Sequence, residues 1–191
     1  VTSFGTAGTG GFGIKADSMG GYSTYLQWVV AIFMLVFGMN FNLYYLILVK
    51  KVRTAFKSEE MWTYVAIVVG ASAIIGYNIY NTAQNVSTIS DTVRHSVFQV
   101  ATIITTTGYS TVDFNLWPGL SKMLLLMLMF VGGCAGSTAG GFKVSRIIML
   151  YKQAKANLKH ILHSRSLEAV RSEGKVVDNP TVNGVLSYLS I

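Results

Sequence analysis

The stretch Thr105-Thr106-Thr107-Gly108-Tyr109-Ser110 decides the reading of this chain. It sits between two long apolar segments and brings hydroxyls, closely spaced backbone carbonyls and a glycine into six residues. Carbonyls and a threonine hydroxyl can replace the hydration shell of a cation, and the glycine admits backbone conformations that a side chain would forbid. The chemistry this order suits is ion permeation.

A second copy lies near the N-terminus. Thr9-Gly10-Gly11-Phe12-Gly13 aligns position for position with Thr106-Thr107-Gly108-Tyr109-Ser110: hydroxyl, small or polar, glycine, aromatic, small. With Gly11 and Gly108 equivalent, the period is 97 residues, and a fixed period is the mark of a repeated structural unit. Both copies read like the filter of a potassium channel. Each is followed by a short polar stretch holding Asp17 or Asp113 and then by a long uncharged segment. The unit is loop, helix, link, helix, re-entry.

Composition fits a membrane. Of 191 residues, 51% are hydrophobic and only 12% charged. Residues 18–49, 61–90 and 123–142 hold 32, 30 and 20 positions without a charge, each reaching the roughly 20 needed to cross a bilayer core of about 30 Å. Three spans are expected. The net charge of +7 does not point to nucleic acid, because twelve of the fifteen basic residues gather in two links, after the first span (Lys50, Lys51, Arg53, Lys57) and after the third (Lys143 onward). The positive-inside rule makes those links cytoplasmic. Lys15, Arg94 and Lys122 remain for the other face and flank the filter-like loops, so both loops lie toward the outside. The chain starts at Val1 without a signal peptide and ends in an apolar run, residues 182–191, as a piece of a longer polypeptide would.

Residues 24–49 read as one membrane helix, long enough to tilt or carry a break, with Gly38, Asn40 and Asn42 in its inner half. The two asparagines suit interhelical hydrogen bonds or a pore-lining role. Residues 50–60 form a cytoplasmic turn. The next helix returns from Met61 to about Thr82, with Trp62 and Tyr64 at the inner boundary and Tyr77 and Tyr80 near the outer one. Residues 87–105 are too polar at their start to span, so a re-entrant pore helix is expected, with Ser90 or Asp91 as N-cap. Its C-terminal end would turn a partial negative charge toward a cation. His95 reads as a surface histidine or a pH sensor, and Asn85-Val86-Ser87 matches a glycosylation sequon.

Trp117-Pro118 opens the third helix, which is interrupted by Gly132-Gly133-Cys134-Ala135-Gly136-Ser137-Thr138-Ala139-Gly140-Gly141, a run without a bulky side chain. Gly132, Gly136 and Gly140 recur every four residues, the pattern of a close-packing surface. Five glycines also disfavour helix, and unwound backbone is tolerated at membrane depth where it faces a water-filled cavity. The residues leave both readings open. Cys134, the single cysteine, reads as a small buried side chain.

Two decoys fail. Gly8-Thr9-Gly10-Gly11-Phe12-Gly13 fits a dinucleotide pattern without a preceding strand or room for a βαβ unit. In residues 136–143 Phe142 stands between Gly141 and Lys143 and spoils a phosphate loop. No Ser/His/Asp set, carboxylate pair or His/Cys cluster can be assembled, so no enzyme and no cofactor is expected.

Taken with Ala16-Asp17-Ser18-Met19-Gly20, Thr111-Val112-Asp113-Phe114 and Phe142-Lys143-Val144-Ser145-Arg146, these blocks resemble the Trk/Ktr/HKT superfamily of potassium transporters, the bacterial TrkH-type subunit most of all. The resemblance implies an all-α polytopic membrane protein of repeated helix, re-entrant loop and helix units. Residues 1–60 would end the second repeat, 61–152 would be the third, and 153–191 would be a cytoplasmic linker with the start of the fourth. It implies K⁺ at carbonyls of Thr9, Gly10, Gly11, Phe12 and of Thr106, Thr107, Gly108, Tyr109. Glycine at 11 and 108 would go with K⁺ rather than Na⁺. It makes the loop from Gly132 to Gly141, named above residue by residue, an unwound gate below the filter. It further implies a homodimer in the bacterial inner membrane and a cytoplasmic nucleotide-binding regulatory subunit of the TrkA type. The first and fourth filters and the basic residue of the last inner helix are not in the sequence. A Na⁺-coupled transporter of the same superfamily and a non-conducting scaffold are the alternatives.

Overall fold

The computed structural model describes residues 1–82, 88–162, 171–172, 175–176 and 184. The sequon at 85–87, Glu168, Glu173 and Asp178, and the apolar run at 182–191 apart from Gly184 lie outside the described residues. The elements are α1 (Thr2–Ala7), α2 (Thr24–Phe37), α3 (Phe41–Leu48), α4 (Val52–Phe56), α5 (Glu59–Thr82), α6 (Ile89–Ile104), a 3₁₀ turn (Phe114–Leu116), α7 (Gly119–Val131) and α8 (Val144–Leu162). A two-residue antiparallel pairing of Arg171–Ser172 (β1) with Lys175–Val176 (β2) follows. The architecture is all-helical.

Of the three expected spans, α5 alone is both continuous and long enough to cross a bilayer, with 24 residues. Glu59 and Glu60 in its first turn complement the helix dipole. The expected single helix over 24–49 is two helices, bent by 88° between α2 and α3. The break follows from its sequence: Gly38 ends α2, and the Asn40 side chain accepts the Asn42 N–H to cap α3. A stop and a start thus stand back to back inside an uncharged stretch. The third expected span becomes the 13-residue α7, a non-helical segment and α8.

The short helix α6 is the centre of the fold, packed against α2, α5 and α7. Its N-terminal half is polar, while Phe98, Val100, Ala101 and Ile104 are fully buried. They join two cores, one with Ile75 and Ile79 of α5 and Leu125 and Leu128 of α7, the other with Ala31 and Met34 of α2 and Met19 and Tyr109. Small residues let α5 and α6 approach: a Cβ on Gly76 would sit 3.3 Å from Ser96 Oγ. Facing outward, Ile32, Phe33, Val69, Ile74, Leu126, Met127 and Phe130 are all at least half exposed. Such an apolar exterior suits lipid or further protein rather than water.

Three sequence expectations are corrected here. Tyr64 is no interfacial anchor: it is buried, and its hydroxyl donates to the Leu35 carbonyl at 3.3 Å. The N-cap of α6 is Thr88, without a side-chain cap bond, and Asp91 instead pairs with Arg94 at 2.7 Å. Pro118 occupies the N-cap position of α7 and so precedes the first turn that it was expected to open. Trp62, Tyr77 and Tyr80 are exposed at the ends of α5, as boundary anchors require.

Candidate functional site

Each filter-like loop follows the C-terminus of a short helix, α1 or α6. Their equivalence extends to the backbone. Thr9 and Thr106 have φ of 50° and 55°, and Gly11 and Gly108 have φ of 66° and 92°. A left-handed glycine is cheap, whereas a left-handed threonine costs energy that surrounding contacts must offset.

Behind the second loop stands a layer of hydroxyls. Thr105 donates to the Ala101 carbonyl at 2.7 Å, Thr105 and Thr107 share a hydroxyl hydrogen bond of 2.8 Å, and Thr102 Oγ1 accepts the Gly108 N–H at 3.1 Å. Thr102, Thr105, Thr107 and Tyr109 are buried, while Thr106 and Gly108 are exposed. Of the three consecutive threonines, only Thr106 turns its side chain to the open side.

The loops brace each other. The Tyr109 hydroxyl reaches the Phe12 carbonyl at 2.9 Å and the Thr2 carbonyl at 3.2 Å, and Ser18 Oγ accepts the Ser110 N–H at 3.1 Å. Phe12, expected to offer its carbonyl to an ion, has it engaged by Tyr109, and its ring is exposed. The aromatic positions are therefore not equivalent. Gly11 lies against the other loop, where an added Cβ would stand 2.2 Å from the Thr107 carbonyl oxygen, while nothing comes within 4 Å of one on Gly108. Buried Gln27 donates to the Met19 carbonyl at 3.0 Å and holds the connector after the first loop in place.

Residues 132–143 leave the helical path. Their ends meet: Phe142 donates to the Phe130 carbonyl at 3.0 Å and Val144 to the Gly133 carbonyl at 2.9 Å. The neck is glycine on both sides, since a Cβ on Gly132 would stand 2.3 Å from the Gly140 carbonyl and one on Gly141 2.6 Å from the Gly132 Cα. Unwound backbone, rather than helix packing, is what the run of small residues makes.

This loop is moored at the break between α2 and α3. Cys134 donates to the Gly38 carbonyl at 2.9 Å and Phe41 to the Gly136 carbonyl at 3.1 Å, so groups left over by the broken helix find partners in the loop. Buried Glu60 accepts the Ala135 N–H at 2.6 Å and the Asn40 side-chain amide at 3.4 Å. Lys143 folds back on the loop, donating to the Ala139 carbonyl at 2.5 Å. Cys134 and Ala139 are buried. Glu60 and Lys143 were not among the sequence candidates: Glu60 sits beside Glu59 after a basic link, and only its burial distinguishes it. Asn40 combines helix capping with a bond between helices.

On the far side of α6, His95 Nδ1 lies 2.9 Å from the Thr111 hydroxyl, three residues past Gly108. Arg94 bonds Asp91 and the Thr24 hydroxyl, and its Nη2 lies 3.2 Å from His95 Nε2. Burial and the neighbouring guanidinium lower the imidazole pKa.

The profile of the TrkH family, described as cation transport proteins, matches residues 1–187. Similar relatives include the Trk system potassium uptake protein TrkG of Escherichia coli strain K12, 30% identical over 185 residues, which are 96% of this chain and 38% of the relative. The Trk system potassium uptake protein TrkH of Halomonas elongata is 34% identical over 176 residues, 91% of this chain and 36% of the relative. The crystal structure of the potassium transporter TrkH from Vibrio parahaemolyticus superposes with a TM-score of 0.90 at 30% identity, covering 98% of this chain and 41% of that one. The chain thus spans about two fifths of the length of the relatives it matches. It belongs to the TrkH cation transport protein family, whose members are transporters and not enzymes.

Proposed function

We propose that the chain forms two adjacent quarters of a K⁺ permeation path in a multi-pass bacterial inner-membrane protein. The observation that carries this reading is the paired backbone geometry at Gly11 and Gly108, on two loops braced against each other by Tyr109. Dehydrated K⁺ would meet carbonyls of Thr9, Gly10 and Gly11 and of Thr106, Thr107, Gly108 and Tyr109, with those of Phe12 in a supporting role. Residues 1–60 would close the second repeat, 61–152 form the third and 153–191 lead to the fourth. K⁺ is the transported ion, and no cofactor enters the reading.

Residues 132–141 would be the gate. Their hydrogen-bonded mooring to Gly38, Phe41 and Glu60 supports a closed position across the path. A homodimer of pore subunits and a cytoplasmic TrkA-type regulator complete the assembly, the regulator acting by releasing the loop. Deleting residues 134–138 in the full-length protein is expected to raise flux at normal abundance. Unchanged or lower flux would count against the gate.

A further inference from the structure

We propose that Thr9 and Thr106 seat the intramembrane loop, so that closure of the loop and cation occupancy at the inner end of the filter exclude one another. This rests on the filter and gate readings above and adds a coupling between them. Thr106 Oγ1 accepts the Gly140 N–H at 2.8 Å. Thr9 Oγ1 lies 3.0 Å from the Thr138 carbonyl, to which it can donate. The two threonines are equivalent in the repeat, 97 residues apart, and both hold the left-handed backbone. Two loop residues spaced by two therefore meet the same position of successive filters, one as donor and one as acceptor.

The chemistry makes the two states exclusive. Thr106 is the hydroxyl of the second filter that faces the open side, and an N–H aimed at its oxygen brings partial positive charge to where a cation would bind. With the loop withdrawn, that oxygen becomes a cation ligand. Thr9 already has a second acceptor, since its hydroxyl lies 2.8 Å from the Gly8 carbonyl. Its proton can turn there and leave the oxygen's lone pairs free, so unseating strands no donor. Gly140 fits closely: a Cβ there would stand 3.1 Å from Thr106 Oγ1. By linkage, a cation that binds only the unseated state must favour opening, and opening must tighten cation binding by the same factor.

Cys134, within the loop itself, is fully buried while the loop is seated and serves as the probe. In the full-length protein with any other cysteines replaced, its labelling by a small thiol reagent is followed in potassium chloride against equal sodium chloride. ⁸⁶Rb⁺ uptake into liposomes is measured in parallel. The parent should label faster in K⁺ than in Na⁺. Thr106→Val should label roughly fivefold faster than the parent in Na⁺, the equivalent of one neutral hydrogen bond, and lose the K⁺ effect. Thr106→Ser should restore both. Gly140→Ala, which keeps the hydroxyl but crowds the seat, should label fast yet retain ion preference. K⁺-selective uptake with labelling indifferent to K⁺, or a Thr106→Val protein that labels like its parent, overturns the coupling and leaves the filter reading standing. Loss of K⁺ preference in the parent itself overturns both.

Discussion

Glycine at 11 and glycine at 108 occupy the same place in the repeat but are held for different reasons. Gly11 faces the Thr107 carbonyl at a distance no side chain can share, whereas Gly108 has free space and only its φ of 92° to defend. Gly11→Ser is therefore expected to disrupt the contact between loops and lower the melting temperature of the full-length protein. Gly108→Ser should cost about 1–2 kcal/mol of backbone strain, leave a folded protein, and weaken K⁺ over Na⁺ preference in flux assays. Equal loss of fold in both variants would refute the distinction. Tyr109→Phe removes the brace to Phe12 and should cost about 1 kcal/mol, read as reduced thermal stability. His95 gives a pH signature. Its pKa is lowered in the fold, so the unfolded chain takes up the proton first. Its contribution is complete above the ordinary value of 6.5 and is lost as pH falls below it. His95→Gln should flatten that acid limb of the thermal stability profile, and an unaltered limb would exclude His95 as its source. The glycines were legible from the sequence because hydroxyl, glycine and aromatic recur in order. The unequal roles of Phe12 and Tyr109 were not, since they depend on how one loop sits against the next.

At the scale of elements, two interruptions answer each other. The break between α2 and α3 leaves the Gly38 carbonyl and the Phe41 N–H without helical partners, and the loop between α7 and α8 supplies them. The second interruption was half legible: the ten small side chains of residues 132–141 suit close packing as well as unwound backbone, and only the resemblance to the transporter superfamily favoured the unwound loop. The first was hidden: Gly38, Met39 and Asn40 are flanked by Phe37 and Phe41 inside 32 uncharged residues, and hydropathy alone continues the helix through them. Glu60 was hidden for a similar reason, because an acidic residue after a basic link reads as a solvated turn. Its place on the Ala135 N–H makes it the clasp between α5 and the loop. Glu60→Ala leaves that half-buried N–H without its acceptor, at about 1 kcal/mol. It is expected to increase basal ⁸⁶Rb⁺ flux and Cys134 labelling together. Glu60→Gln retains an acceptor oxygen and should fall between the alanine variant and the parent. Labelling at the parental rate in Glu60→Ala would remove Glu60 from the latch.

On the scale of the whole molecule, a centre built on helix α6, an apolar exterior and two braced loops are what the proposed share of a permeation path requires. The relatives that the chain matches are more than twice its length, and Phe4, Phe12 and Phe33 are exposed where further protein or lipid would lie. Charge clustering and apolar length read the class of protein correctly from sequence. They overstated continuous spans, because a length of uncharged residues does not report where the chain bends. The central claim is selective passage of K⁺ past Gly11 and Gly108. The direct measurement is ⁸⁶Rb⁺ uptake into liposomes holding the full-length parent protein with the proposed regulatory subunit, with K⁺ or Na⁺ as competitor. Uptake suppressed by K⁺ and indifferent to Na⁺ is the expected result; equal suppression by both ions, with the protein folded, would contradict the account.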